Sequence, residues 1–176
     1  SFQNPKEIPG VSFVKFLREA KNVQRDLGAG GRESHSEKKL SILEFRELIE
    51  KNAKKLDSEK LLERNINEGF SGGEKKKSEI IQMLTLDPKL VILDEPDSGL
   101  DIDGLKTLSK VLKKFKKKDK TIFIISHYTQ LLKYLKPDKI FLMSEGRIIK
   151  SGNLSLLKDI EKKGLKKIKN DKRDKN

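Results

Sequence analysis

Residues 70–101 read Phe70-Ser71-Gly72-Gly73-Glu74, then a Lys-rich amphipathic run, then Leu90-Val91-Ile92-Leu93-Asp94-Glu95-Pro96 and Ser98-Gly99-Leu100-Asp101. The aliphatic run is short and bounded by Asp87-Pro88 on one side and Pro96 to Gly99 on the other. That pattern predicts a strand buried on both faces, as in a parallel sheet. Two adjacent carboxylates then stand at its carboxyl edge, where open α/β sheets bind ligands. Successive residues point to opposite sides, so Asp94 and Glu95 are expected to do different jobs. In phosphoryl transfer the last Asp of such a strand holds Mg²⁺, and a neighbouring group orients and polarises the attacking water. The plainer alternative, a strand end with two solvated acids, stays open on these residues alone.

Ser71-x-x-Glu74 ahead of an apolar-periodic run is a capping box. A cap gains nothing from two glycines in the first helical turn, where each costs about 1 kcal/mol against Ala. What they offer is close backbone approach and free N–H groups at the positive end of a helix, a seat for a terminal phosphate. Cap and anion site can be one object.

With these residues quoted, a family likeness follows. Phe70-Ser71-Gly72-Gly73-Glu74 resembles the signature motif of ATP-binding-cassette (ABC) ATPases, Asp94-Glu95 their Walker B strand and catalytic Glu, and Ser98-Gly99-Leu100-Asp101 their D-loop. His127, after the strand Thr121 to Ile125, resembles the switch histidine, and Gln3 the Q-loop glutamine. Further strings resemble the SufC family, the ATPases of SUF iron–sulfur cluster assembly: Glu7 to Ser12, Gly72 to Lys76, Asp97 to Asp103, His127-Tyr128, Tyr134 to Asp138 and Gly146 to Gly152.

The resemblance implies an α/β fold, an incomplete P-loop ABC domain with a mostly parallel sheet core and a helical signature subdomain. It covers about Phe2 to Gly164 and divides this into residues 1–69, the helical subdomain after the Q-loop, and 70–164, the signature helix, Walker B, D-loop and H-loop; residues 165–176 are a tail expected to be disordered from its nearly all-charged composition. It implies ATP and Mg²⁺ as cofactors, with Asp94 and Gln3 serving the metal and Glu95 and His127 in catalysis. Ser71, Gly72, Gly73 and Glu74 would meet the nucleotide bound by a second subunit in a head-to-tail dimer, and the D-loop would link the two sites. The implied partners are scaffolds of the SufB/SufD type, contacted around Val11 to Arg64. The implied compartment is the cytoplasm or the plastid stroma.

No Gly-x-x-x-x-Gly-Lys-Ser/Thr occurs in the chain. Gly28 to Gly31 has no Lys-Ser/Thr partner and follows a helical pattern, so it fails the structural test for a phosphate loop. The resemblance therefore implies the C-terminal part of a longer ATPase, with the Walker A loop and the adenine-stacking aromatic on a segment not included here. Such a part alone is expected to hydrolyse no ATP.

Composition narrows the alternatives. A chain of 176 residues can bury one respectable core. It contains no Cys, hence no disulfide and no thiolate for an iron–sulfur cluster, so any part in cluster assembly would be energetic. No apolar run reaches the length of a membrane span. The net charge of +13 invites a nucleic-acid reading, yet 33 of the 40 basic residues are Lys, and Arg is the side chain suited to bidentate phosphate recognition. Solvated lysine is the preferred reading. A transporter's nucleotide-binding subunit and a basic nucleic-acid module are the competing functions.

Along the rest of the chain, Phe13, Phe16, Leu17, Ala20, Val23 and Leu27 recur at helical spacing after a Pro9-Gly10 turn. A loop follows to Lys39. Ser41-x-x-Glu44 caps a second helix reaching about Leu56, with Leu43, Leu48, Ile49 and Ala53 apolar. A short helix lies near Ser58 to Arg64. Asp101 caps a helix with Leu105, Leu108, Val111, Leu112 and Phe115 on one face and a solvated face from Lys113 to Lys120. Thr121 to Ile125 is expected as a second buried strand, Tyr128 to Leu135 as a helix, and Lys139 to Met143 with Arg147 to Lys150 as a strand pair turned at Glu145-Gly146. A helix near Leu154 to Lys163 comes last. Lys75, Lys76 and Lys77 are expected in solvent, with a pairing of one of them to Glu95 as the functional alternative.

Overall fold

The computed structural model describes residues 5–26, 39–127, 129–160 and 162. Gln3, the Gly28 to Gly31 loop, Tyr128 and the charged tail lie outside them. The chain divides into two compact units, residues 1–127 and 128–176.

The first unit opens with β1 (Ile8–Ser12), which runs into α1 (Phe13–Asp26). The expected Pro9-Gly10 turn is instead a bulge inside this strand. Gly10 sits at φ +76°, and the pairing with β2 (Asn65–Ile66) jumps from Ile8↔Ile66 to Ser12↔Asn65. A glycine with positive φ lets the extra residues loop out without ending the strand. On α1, Phe13 and Leu17 are buried as expected, but Phe16 and Val23 are exposed and Asn22 is buried in their stead.

α2 (Ile42–Lys54) has both halves of the capping box, Glu44 N donating to Ser41 Oγ and Ser41 N donating to Glu44 Oε2. Its anchor is Phe45, only 1% exposed, with Ile49 and Ala53; Leu43 faces out, contrary to the expected stripe. A single 3₁₀ turn (Glu59–Glu63) then leads through β2 to α3 (Gly72–Leu86), which packs against α1 and α2. Buried Asn52 donates to Thr85 Oγ1 and fixes the α2–α3 register.

α3 stops where Asp87 takes a left-handed conformation at φ 54°, ahead of Pro88. Lys120, expected in solvent, closes this end. Its side chain is 4% exposed, pairs with Asp87 Oδ1 at 2.8 Å, donates to the Asp87 and Pro88 carbonyls at 3.2 Å, and lies 4.6 Å from the Phe115 ring centroid. A cation at the negative end of a helix, with its stem on an aromatic ring, is favoured on both counts. Lys21 Nζ donates to the Leu86 carbonyl at the same end.

β3 (Leu90–Asp94), α4 (Ile102–Phe115) and β4 (Thr121–Ile125) form a strand–helix–strand unit. The two strands are parallel and in step from Leu90↔Thr121 to Asp94↔Ile125. All five predicted apolar residues of α4 are buried. Among the described residues these strands are covered on one face only, short of the expected burial on both. Val91 and Leu93 are buried, but Leu90, Ile92, Phe123 and Ile125 are 59%, 52%, 50% and 44% exposed. The alternation is the one a two-stranded sheet must show when only one face is covered. Among the described residues the parallel core is these two strands; the other two strand pairs are antiparallel.

The second unit contains α5 (Thr129–Leu135), the antiparallel pair β5 (Ile140–Ser144) and β6 (Arg147–Gly152), and α6 (154–160). Glu145 and Gly146 both have positive φ, as a tight two-residue hairpin turn requires. Ile140, Leu156 and Leu157 form its core.

Candidate functional site

The entry to α3 is built by side chains. Arg64 donates to the Glu68 and Gly69 carbonyls at 2.7 and 2.9 Å and stacks over Phe70 at 4.5 Å from the ring centroid. Gly69 has φ +61°, and a Cβ there would stand 3.1 Å from the Arg64 guanidinium. Asn67 donates to the Lys6 carbonyl and accepts from Ser78 Oγ, tying the turn before the signature to both β1's approach and α3. None of these roles was visible in the sequence, where Arg64 and Asn67 look like ordinary loop residues.

Ser71 then caps α3 as a full capping box: its N–H donates to Glu74 Oε2 at 2.8 Å and its Oγ accepts from Glu74 N at 3.3 Å. A Cβ at Gly72 or Gly73 would meet nothing within 4 Å, so the backbone there is open to an approaching group. The Glu74 carboxyl lies below its ordinary value of 4.5, chiefly through the Ser71 backbone N–H and then the Ser71 hydroxyl. A depressed carboxyl pKa stabilises the fold above the unfolded value and loses that contribution as pH falls through the folded one. Ser71→Ala should therefore cost about 1 kcal/mol near neutrality. Glu74→Gln should flatten the part of the acid limb below pH 4.5, as urea unfolding at a series of pH values would show. Glu7 is likewise held low, first by its hydrogen bond from Lys75 at 2.9 Å, which straps the chain before β1 to the signature helix. Lys76, expected in solvent, is buried and its Nζ donates to the Asp94 carbonyl at 3.3 Å.

At the carboxyl end of β3 and β4 the parallel register sets what meets. Glu95 N donates to the Ile125 carbonyl at 2.9 Å, extending the ladder by one step, and Ser126 and His127 follow directly. Glu95 takes a left-handed conformation at φ 46°, rare for a non-glycine, which turns its side chain off the strand path. Its carboxylate lies 2.7 Å from His127 Nε2, with the His127 side chain largely exposed. Two of the residues expected in catalysis are thus brought together. Pro96 and Asp97 follow, and Asp97, with no assigned role in the sequence, is 3% exposed and accepts from Ser126 Oγ at 2.6 Å.

The D-loop, Ser98 to Asp101, is a tight segment: Ser98 N donates to Glu95 O, Leu100 N donates to Asp97 O, and Gly99 has φ +74°. Asp101 ends it by capping α4 through Gly104 N at 2.7 Å. A cleft of about 470 Å³ is lined by Ser71, Gly73 and Lys76 together with Gly99, Leu100 and Asp101. The segments expected as signature and D-loop thus border one cleft, while Gln3 lies outside the described residues. For the metal, Asp94 is one half-buried carboxylate at the strand end, and among the described residues no three His, Asp or Glu cluster. That fits Mg²⁺ in phosphoryl transfer, which takes one or two protein carboxylates and completes its octahedron with phosphate oxygens and water.

Comparison with known proteins gives the same answer. The family described as ABC transporter matches residues 2–98. The probable ATP-dependent transporter ycf16 of Pyropia yezoensis is 48% identical over 168 residues, 93% of this chain and 63% of that protein. The protein of the same name from Guillardia theta is 47% identical, over 97% of this chain and 65% of its own. A probable ABC transporter ATP-binding protein of Streptococcus pyogenes is 44% identical, with 93% and 61% covered. The chain thus spans less than two thirds of these relatives' length. Among solved structures, the ATP-binding cassette MJ0796, a dimer bound to ADP and Pi, superposes with a TM-score of 0.67 at 19% identity, over 87% of this chain and 61% of that one, which speaks for the fold. cbiO1 of Clostridium perfringens, part of the ABC transporter complex cbiONQ, gives 0.59 at 27% identity, with 90% and 56% covered. With the parallel strand pair, the capped glycine signature and the strand-end acids in place, the chain belongs to the ABC transporter family and has the α/β fold of its ATP-binding cassettes.

Proposed function

We propose that this chain supplies the signature, Walker B, D-loop and switch histidine of an ATP hydrolase that works as a head-to-tail dimer, its phosphate loop coming from a segment outside these residues. The observation that carries the reading is the 2.7 Å approach of Glu95 to His127 at the carboxyl ends of two parallel strands. Glu95 polarises the attacking water, and His127, exposed at the surface, turns from Glu95 to the γ-phosphate when nucleotide arrives. Asp94 holds Mg²⁺, which when bound neutralises charge on the phosphate oxygens. Ser71, Gly72 and Gly73 offer the helix N-terminus to the nucleotide of the other subunit, and Glu74 keeps that terminus formed. Asp101 fixes the D-loop against α4.

The SufC-type reading is the narrower part of the proposal. It rests on the strings at 7–12, 97–103 and 127–138, and makes SufB/SufD-type scaffolds the partners, with ATP turnover driving scaffold rearrangement and no cluster ligated by this chain. Affinity purification from the native source distinguishes it from its competitor. Recovery of such scaffolds supports it; recovery of a multi-span membrane protein instead makes this a transporter subunit. The chain by itself is expected to turn over no ATP, since it has no Gly-x-x-x-x-Gly-Lys-Ser/Thr.

A further inference from the structure

Asp97 is the one acid at this end of the sheet to which the mechanism above gives no work. It is buried, its Oδ2 accepts a short hydrogen bond from Ser126 Oγ at 2.6 Å, and its Oδ1 is buried with no hydrogen-bond partner among the described residues. A buried carboxylate is costly, and one kept with an oxygen unsatisfied needs a reason beyond stability. Position gives one. Asp97 stands immediately before the D-loop, and its carbonyl accepts from Leu100 N inside that loop. Ser126 stands immediately before His127, after the last residue of β4. One step past the bond from Glu95 N to Ile125 O, the hydroxyl of Ser126 is tied to the segment that follows β3 by this side-chain bond.

We propose that Asp97 and Ser126 are a positioning pair, in which the Asp97 carboxylate holds the backbone that carries His127 and so links the placement of that imidazole against Glu95 to the conformation of the D-loop. Both ends of the link are short-range: Ser126 is the residue next to His127, and Asp97 is the residue next to Ser98. A change in the D-loop is therefore felt at His127, and the reverse. The consequence for turnover rests on the ATPase reading of the site, whereas the link itself is a property of this chain and needs no nucleotide.

The test uses the 176-residue chain with His35 replaced by Gln, so that His127 gives the only histidine ring signals. These are recorded by NMR at fixed pH for the parent, Asp97→Ala, Ser126→Ala, the double variant and Ser126→Thr. Asp97→Ala is thirty positions from His127 in sequence, yet it is expected to move the His127 signals toward the position they take in Glu95→Gln. The double variant should show no more displacement than either single one, and Ser126→Thr, which keeps the hydroxyl, should match the parent. If Asp97→Ala does not fold, Asp97→Ser, polar but too short to reach Ser126, takes its place in the same cycle. His127 signals unmoved by either Asp97 variant, or displacements that add in the double variant, would overturn the proposal while leaving the ATPase reading intact.

Discussion

Glu95→Gln is expected to lower Mg–ATP turnover by roughly 100- to 10,000-fold, the range a positioned general base contributes, and to leave ATP binding unchanged. The assay needs a polypeptide in which this chain is joined to a segment that carries Gly-x-x-x-x-Gly-Lys-Ser/Thr. Gln has the shape of Glu and keeps a hydrogen-bond acceptor, so the backbone at φ 46° and the ladder bond to Ile125 have no cause to change. What the proposed mechanism loses is the charge that polarises water. On that mechanism the loss should fall in kcat with little effect on KM, because Glu95 would act on the transition state rather than on nucleotide capture. Equal turnover by the variant would take Glu95 out of the reaction and leave its contact with His127 without a catalytic part.

Phe45→Ala carries the largest expected effect on stability, a loss of about 3–5 kcal/mol. The ring is 1% exposed on α2, the helix that packs on the signature helix through Asn52 and Thr85. Typical domains hold only about 5–15 kcal/mol in all, and this sheet has one apolar face uncovered among the described residues. The variant should shift the urea midpoint strongly or abolish the cooperative transition. A midpoint within error of the parent would mean that α2 is not part of the cooperative unit carrying the signature.

How much of this was legible in the sequence depends on the range of the interaction. Both capping boxes, the Asp101 cap and the Glu145-Gly146 turn were all readable, because each is decided by residues within four positions of one another. The buried face of α4 was readable for the same reason. The faces of α1 and α2 were less so: Phe16, Val23 and Leu43 satisfy the helical period, but where a helix turns its apolar side is set by its neighbours, and Phe45 rather than Leu43 met them. The reading of β3 and β4 as doubly covered goes beyond the described residues, which cover one face of the pair; an aliphatic run reports only what a strand can tolerate on each face.

In the candidate site the same division holds. Asp94, Glu95, His127 and the glycines of the signature stood out as residue types at a strand end and a helix start. That Glu95 and His127 touch required the parallel register of two strands whose paired residues, Leu90↔Thr121 to Asp94↔Ile125, are far apart in sequence. Arg64, Asn67, Asp97 and Ser126 carry no local signal at all, since each acts through a partner distant in sequence or through a backbone carbonyl. Lys76 and Lys120 were misplaced in solvent because a lysine-rich run gives no sign of which member folds inward over its stem.

The most direct test of the central claim is Mg–ATP hydrolysis by the purified chain alone and by the same chain joined to a segment that carries Gly-x-x-x-x-Gly-Lys-Ser/Thr. The proposed function requires no turnover above background from the chain alone and turnover on joining that disappears with Glu95→Gln. Hydrolysis by the unjoined chain, or a joined protein that folds and binds ATP yet hydrolyses none, would contradict it.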